Sequence, residues 1–335
     1  MDPLTHGLAT LALQRGFFPK ASWRAIIAIL CTGLVADVDF FSANFGPSAY
    51  LRWNRTATHS ITFILVLALA AFLFSLMLRG NPRAPSWTGF SWVAIAAAAT
   101  LHILMDLLQA DPVAPFWPSA TKRFSLDISP AIDLWLMVIL AAAILLPELF
   151  RLVSDEIGSR TKRPRGRNGA IVGLAFAIIY FAMRAQFHGN VTASLEARTV
   201  SGEIPRRVAA LPDSVSPFLW HSVVETESAL HLYTLRSMGG EVSYASGVTT
   251  LRKPEPSAVL TAAQSAPATV TFLKTARFPK ATVEQETDGF SVEINDLKDQ
   301  AMQTSNHAIF ANINLDKSAK VISSELQWQK KPSRP

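Results

Sequence analysis

The chain has 335 residues, 50% of them hydrophobic, and a net charge of +6, with a mean hydropathy of +0.25. The apolar residues are bunched into runs of membrane-span length and the basic residues gather beside them, so the charge reads as the positive-inside signal of a membrane protein and not as a nucleic-acid footprint. A single cysteine, Cys31, excludes an intramolecular disulfide framework and a cysteine-based zinc site.

Taken in order, residues 4–15 form a short apolar helix that holds His6. Asp2 and the lack of a basic leader or small-residue cleavage site argue against a cleaved signal peptide. Pro19 and Lys20 mark a turn, and residues 23–36 form a second helix. Equal rise per residue in the two arms of this hairpin sets His6 level with Asp37. Longer runs follow at 61–78, 90–108, 131–150 and 169–187. The third helix is expected over about 58–79, the fourth over 91–108, the fifth from a Ser129-Pro130 start to 150, and the sixth over 169–187. Alternation then puts the loops 79–90 and 151–168, rich in Arg and Lys (Arg79, Arg83, Arg151, Arg160, Lys162, Arg163, Arg165, Arg167), in the cytoplasm. Arg52, Arg55, Lys122 and Arg123 fall on the outer side, where they call for an anionic partner.

Residues 1–188 are therefore expected to be an α-helical membrane domain of six embedded helices, and 189–335 a mainly β soluble domain outside the cytoplasm. Period-2 alternation predicts strands at 229–235, 241–244, 268–273, 290–297, 308–315 and 321–328, with a hairpin connection at 315–321 and a proline-containing connector at 205–217. His188, His221, His231 and His307 show no ligand spacing and are expected to be surface or packing residues.

The chemistry concentrates at one level of the membrane domain. The stretch Gly33-Leu34-Val35-Ala36-Asp37-Val38-Asp39-Phe40-Phe41 ends an apolar run with two carboxylates. An Asp at mid-bilayer costs roughly 2.5–3.5 kcal/mol, so a pair needs a reason. If the chain extends after Ala36, the two carboxylates share one side and offer oxygen ligands to a cation. His6, Asp37, Asp39, His59, His102, Asp106, Asp127 and Asp133 all fall at the outer ends of the helices. His102 and Asp106 are one turn apart on one helix face, and Asp133 lies in a first turn where a carboxylate suits the dipole. Residues 1–147 contain seven Asp and no Glu, which favours short, stiff ligands. Each residue alone has a structural explanation; together they predict a metal site.

These residues carry a resemblance. Asp2-Pro3-Leu4-Thr5-His6, Ala36-Asp37-Val38-Asp39, Arg55-Thr56-Ala57-Thr58-His59-Ser60, His102-Ile103-Leu104-Met105-Asp106 and Arg123-Phe124-Ser125-Leu126-Asp127 resemble, in order and spacing, the YdjM-like predicted inner-membrane metal-dependent hydrolases. The resemblance implies a helical domain of the bacterial inner membrane with a His/Asp metal centre. It also implies a distant similarity to zinc-dependent phospholipase C and the single-strand nucleases, and so phosphoester hydrolysis. Three positions depart from the family pattern: Ala36 replaces a Pro, Asn54-Arg55-Thr56 replaces His-Arg-Gly, and Gln109-Ala110-Asp111 lacks a Tyr-Gly.

The expected protein is thus a membrane-bound hydrolase with one to three divalent ions. Zinc is favoured by imidazole, and manganese or magnesium is admitted by carboxylate. Asp39 or Asp127 would serve as general base, and Arg55 and Arg123 would hold a phosphate of a lipid or lipid-linked substrate at the outer face of the membrane. Two rival readings are a cation transporter and a scaffold with a structural metal. Against a transporter, the polar residues gather at one surface instead of forming a file across the bilayer.

Overall fold

The computed structural model describes residues 1–77, 91–156, 166–302 and 308–329. The chain forms two compact units. One comprises residues 1–39, 55–186 and 214–217, and the other residues 40–54, 187–213 and 218–335.

The first unit is helical. Asp2 caps α1 (Pro3–Phe17) by accepting from the Thr5 N–H at 3.0 Å, with Pro3 at the first helical position. Ser22 caps α2 (Trp23–Val35). The two run back along each other as the expected hairpin, and Gly33 makes their close approach feasible. A Cβ there would lie 2.1 Å from Thr10 Oγ1. A 3-10 helix over Ala36–Phe45 then continues α2. The extended segment expected after Ala36 is therefore corrected: at about 120° per residue, a 3-10 helix turns Asp37 and Asp39 away from each other.

Next come α3 (Pro47–Trp53), a 3-10 turn at Ala57–His59, α4 (Ile61–Met77) and α5 (Ser91–Leu107). The α5 helix packs against α1, α2 and α4, and α1 also lies on α6 (Leu134–Glu156). The start of α6 differs from the Ser129-Pro130 expectation. Asp133 caps it, accepting from the Leu136 N–H at 3.1 Å, and Ser129 Oγ instead donates to Asp133 Oδ2 at 3.1 Å. The last helix, α7 (Arg167–Glu196), is 30 residues long and runs past the expected end at 187. Gly169 and Gly173 set it against α6: a Cβ at Gly173 would come 2.1 Å from Ala143 Cβ, and one at Gly169 would come 2.3 Å from Pro147 Cγ.

Six embedded helices were expected. Among the described residues three are long and apolar enough to cross a membrane: Trp23–Phe45, Leu134–Leu152 and Arg167–Glu196. A fourth crossing is available if Pro47–His59 and Ile61–Phe74, which meet at 53°, count as one span. Trp92–Leu107 is apolar but short: its ~24 Å falls below a hydrocarbon core of ~30 Å. Of the basic loop residues, Arg79, Arg83, Arg160, Lys162, Arg163 and Arg165 lie outside the described residues.

The second unit carries two antiparallel sheets. In the first, β1 (Arg207–Pro212), β2 (Leu219–Glu225), β3 (Ala229–Met238) and β4 (Glu241–Tyr244) follow in order, and β5 (Thr249–Arg252) also pairs with β3. Trp220, Val224 and Leu235 pack there with Val191 and Leu195 from the end of α7. Two short helices follow, α8 (Ala258–Ser265) and α9 (Pro267–Leu273). The second sheet is a meander of β6 (Pro279–Glu286), β7 (Gly289–Asp296), β8 (Ile309–Asp316) and β9 (Val321–Trp328), with α10 (Leu297–Met302) between β7 and β8. Ala263 and Phe272 cover Val292, Ile294, Ile313 and Leu315.

Two expectations are corrected in this unit. Residues 268–273 alternate but are helical, since six residues are too few to separate the periods and Pro267 opens a helix at N1. The connector at 205–217 contains β1. The hairpin between β8 and β9 is where it was expected.

Candidate metal centre

Three elements converge on one point. The first turns of α1 bring His6, the 3-10 continuation of α2 brings Asp37, and α5 brings His102 and Asp106 from successive turns. One ligand atom from each of these four residues lies within 4.8 Å of every other. The hairpin accounts for two of them: with Thr10 against Gly33, equal rise carries His6 to the level of Asp37. The His6 and His102 rings stack with centroids 3.8 Å apart.

His59, from the 3-10 turn before α4, is a fifth member. Its Nε2 lies 2.7 Å from Asp106 Oδ2 and 3.3 Å from His102 Nε2. Two backbone and carboxylate acceptors hold the rings. His102 Nδ1 donates to the Gly33 carbonyl at 2.8 Å, and His59 Nδ1 faces Asp39 Oδ2 at 2.9 Å. With their Nδ1 atoms held in this way, both rings present Nε2 to the Asp106 carboxylate and to each other, as orienting partners do for metal-ligating histidines. Two such nitrogens 3.3 Å apart, with the Asp106 carboxylate beside them, could hold a cation between them. A tetrahedral ion at ~2.0–2.1 Å from its nitrogens separates them by ~3.3–3.4 Å. Three other separations lie near that length, His6 Nε2 to Asp106 Oδ1 at 3.2 Å, His102 Nε2 to Asp106 Oδ2 at 3.5 Å and His102 Nε2 to Asp37 Oδ1 at 3.6 Å, while His59 Nε2 to Asp106 Oδ2 is shorter.

The site is dry on one side. His6, His59 and His102 are 1% exposed and Asp106 is 0%, whereas Asp37 keeps 21%. Asp37 Oδ2 and His6 Nδ1 are buried without a hydrogen-bond partner. Buried polar atoms left this way mark a place for a further group. The donor set of imidazole nitrogens and carboxylate oxygens fits a divalent transition ion. On its Oδ1 Asp106 meets the Met1 amino group and the Gln109 amide, with Arg55 Nη2 at 3.7 Å.

The other expected site residues take different places. Asp39 accepts from the Arg55 N–H at 2.8 Å and Thr58 Oγ1 at 2.6 Å, besides facing His59; it orients a ligand. Asp133 caps α6 and accepts from Tyr180 Oη at 2.9 and 3.0 Å. Asp127 is buried in a left-handed conformation, φ 55°, with its N–H bonded to the Gln109 carbonyl at 3.3 Å. Asp39, Asp127 and Asp133 are outside the four-residue group. Arg55, also left-handed at φ 58°, donates to the Asp111 carbonyl at 2.8 Å and to Gln109 Oε1 at 3.0 Å. Phe124 pairs with Val113, and Ala114 donates to the Arg55 carbonyl, so the segment that carries Arg123 is linked through 113–114 to that of Arg55. His188 lies against Trp220, His221 pairs with Asp213 and His231 with Thr250; His307 lies outside the described residues.

Two contributors escaped the sequence reading. Gln109 is completely buried and bridges Asp106 and Arg55. Its signal was its place three residues after Asp106, just past the end of α5. The Gly33 carbonyl carries no side-chain signal at all.

Asp39→Asn is expected to weaken metal binding ~10–100-fold, the usual cost of losing an outer partner of a ligating histidine. Competition against a chelator measures it, with Asp133→Asn as a control that leaves affinity unchanged. Equal affinities for wild type and Asp39→Asn would remove Asp39 from the centre.

A family model described as YdjM inner membrane protein matches residues 1–191. No curated protein and no solved structure matches the chain.

Proposed function

This chain belongs to the YdjM inner membrane protein family, and we propose that its His/Asp cluster is the catalytic centre of a metal-dependent hydrolase. The proposed substrate is a phosphoester of a lipid or lipid-linked molecule, met at the outer face of the membrane. One observation carries the reading: buried imidazoles and two carboxylates converge on one point, and solvent reaches the group at Asp37, which is 21% exposed. Structural metal sites are closed, and catalytic ones keep an open position.

His6, Asp37, His59, His102 and Asp106 would hold one to three ions, zinc first and manganese or magnesium as alternatives. Bound there, the ion supplies Lewis-acid polarisation of a phosphoryl oxygen and acidifies water toward pKa ~7. Asp39 and the Gly33 carbonyl keep the Nε2 atoms pointed inward. Asp39 Oδ2 already faces three donors, so Asp39 orients His59 and does not take the proton. Arg55 is committed to Gln109 and the Asp111 carbonyl; it sets the field at Asp106, and Arg123 takes the phosphate contact.

The dryness of four of the five residues favours a second reading, a structural ion that fixes the helices. Oriented vesicles separate the two. Right-side-out vesicles are expected to hydrolyse members of a panel of phospholipids and lipid-linked phosphates, to lose that activity to a chelator and to regain it with zinc. Inverted vesicles are expected to be inactive toward added substrate, which also tests the outward placement of the centre. Metal-loaded protein that turns over none of the panel in either orientation supports the structural ion.

A further inference from the structure

Residues 40–54 belong to the β unit, although in sequence they join segments apolar enough to cross a membrane. Tyr50 and Leu51 pack on the core of the second sheet, Tyr50 edge-on to Trp328 at 5.4 Å. Phe40 meets Tyr50 edge-on at 6.3 Å. Three other rings of the segment are exposed: Phe41 at 64%, Phe45 at 84% and Trp53 at 47%. The Arg52 guanidinium lies 5.5 Å from the centre of the Trp53 ring.

Large rings left in water are costly, and a cluster of them calls for a cover. Several observations identify that cover as lipid. The rings sit beside an arginine that keeps its charge at the surface, the composition of a membrane–water interface. Phe45 is the last residue of the apolar Trp23–Phe45 span, and Trp53 lies in the bent pair Pro47–His59 and Ile61–Phe74. The segment is thus chain-continuous with candidate spans at both ends. Its inward face, in contrast, is already committed to the sheet.

We propose that Phe41, Phe45 and Trp53 form an interfacial anchor that seats the β unit on the lipid head-group layer. This role is independent of the chemistry at the His/Asp centre. It predicts that the anchor contacts lipid whether or not metal is bound.

The test uses the full chain in lipid vesicles. In a Cys31→Ser background, Phe41→Cys, Phe45→Cys and Trp53→Cys each carry an environment-sensitive fluorophore, and Glu284→Cys, on an exposed position of β6, is the control. The three quenchers are aqueous iodide, lipid labelled at the head group and lipid labelled at the chain end. Head-group-labelled lipid is expected to quench positions 41, 45 and 53 several-fold more than iodide, with the reverse at 284. The proposal is overturned if iodide dominates at 41, 45 and 53, if chain-end label dominates there, or if no quencher acts because protein covers the rings.

Discussion

Replacing Asp106 by alanine is expected to destabilise the helical unit by ~3–5 kcal/mol, the cost of leaving buried charge without its partner. Asp106 is fully buried and faces the Met1 amino group, Arg55 and the three imidazoles. Without the carboxylate, Arg55 and the imidazoles lose their buried counter-charge, and only the partly exposed Asp37 remains in the group. Asp106→Asn keeps the volume and one acceptor oxygen and should lose less stability, while still losing the metal. Thermal unfolding of purified protein with chelator present isolates the electrostatic part. An Asp106→Ala protein as stable as wild type under chelator would mean that the carboxylate balances no buried charge.

The second large effect is steric. Gly33→Ala places a Cβ 2.1 Å from Thr10 Oγ1 and 2.8 Å from Thr10 Cγ2, so the α1–α2 hairpin must open. Overpacking of this kind costs ~1–3 kcal/mol. It also displaces His6 relative to Asp37 and shifts the carbonyl that holds His102, so metal affinity should fall with stability. All the close atoms belong to the Thr10 side chain. The double variant Thr10→Gly/Gly33→Ala should therefore recover metal binding, less the ~1 kcal/mol that glycine costs inside a helix. Metal affinity and unfolding midpoint measured on the single and double variants decide this. A double variant as impaired as the single one would show that Gly33 acts other than through the hairpin contact.

Much of this arrangement is legible in the chain, and the failures have definite causes. The level of His6 with Asp37 follows from helix rise alone, and the His102–Asp106 pair from one helical turn. The helix and strand patterns place a helical membrane region before a β-sheet region. The division of labour between Asp37 and Asp39 was not readable, because it depends on a 3-10 helix where extension was expected. Asp133 has the same residue type and level as the ligands but spends its oxygens on a helix cap and Tyr180. Among the described residues three helices, or four with the bent pair, are long enough to cross, since hydropathy measures apolar length whereas bending and short helices are set by packing. Gln109 and the Gly33 carbonyl act through the fold and leave almost no trace in residue type.

Metal analysis of the purified protein tests the centre most directly, with a His59→Ala/His102→Ala double variant as reference. The wild-type chain is predicted to retain at least one tightly bound transition ion per molecule through purification, and the double variant to retain none. A metal content unchanged in the double variant would contradict the assignment of the His/Asp cluster as a metal centre.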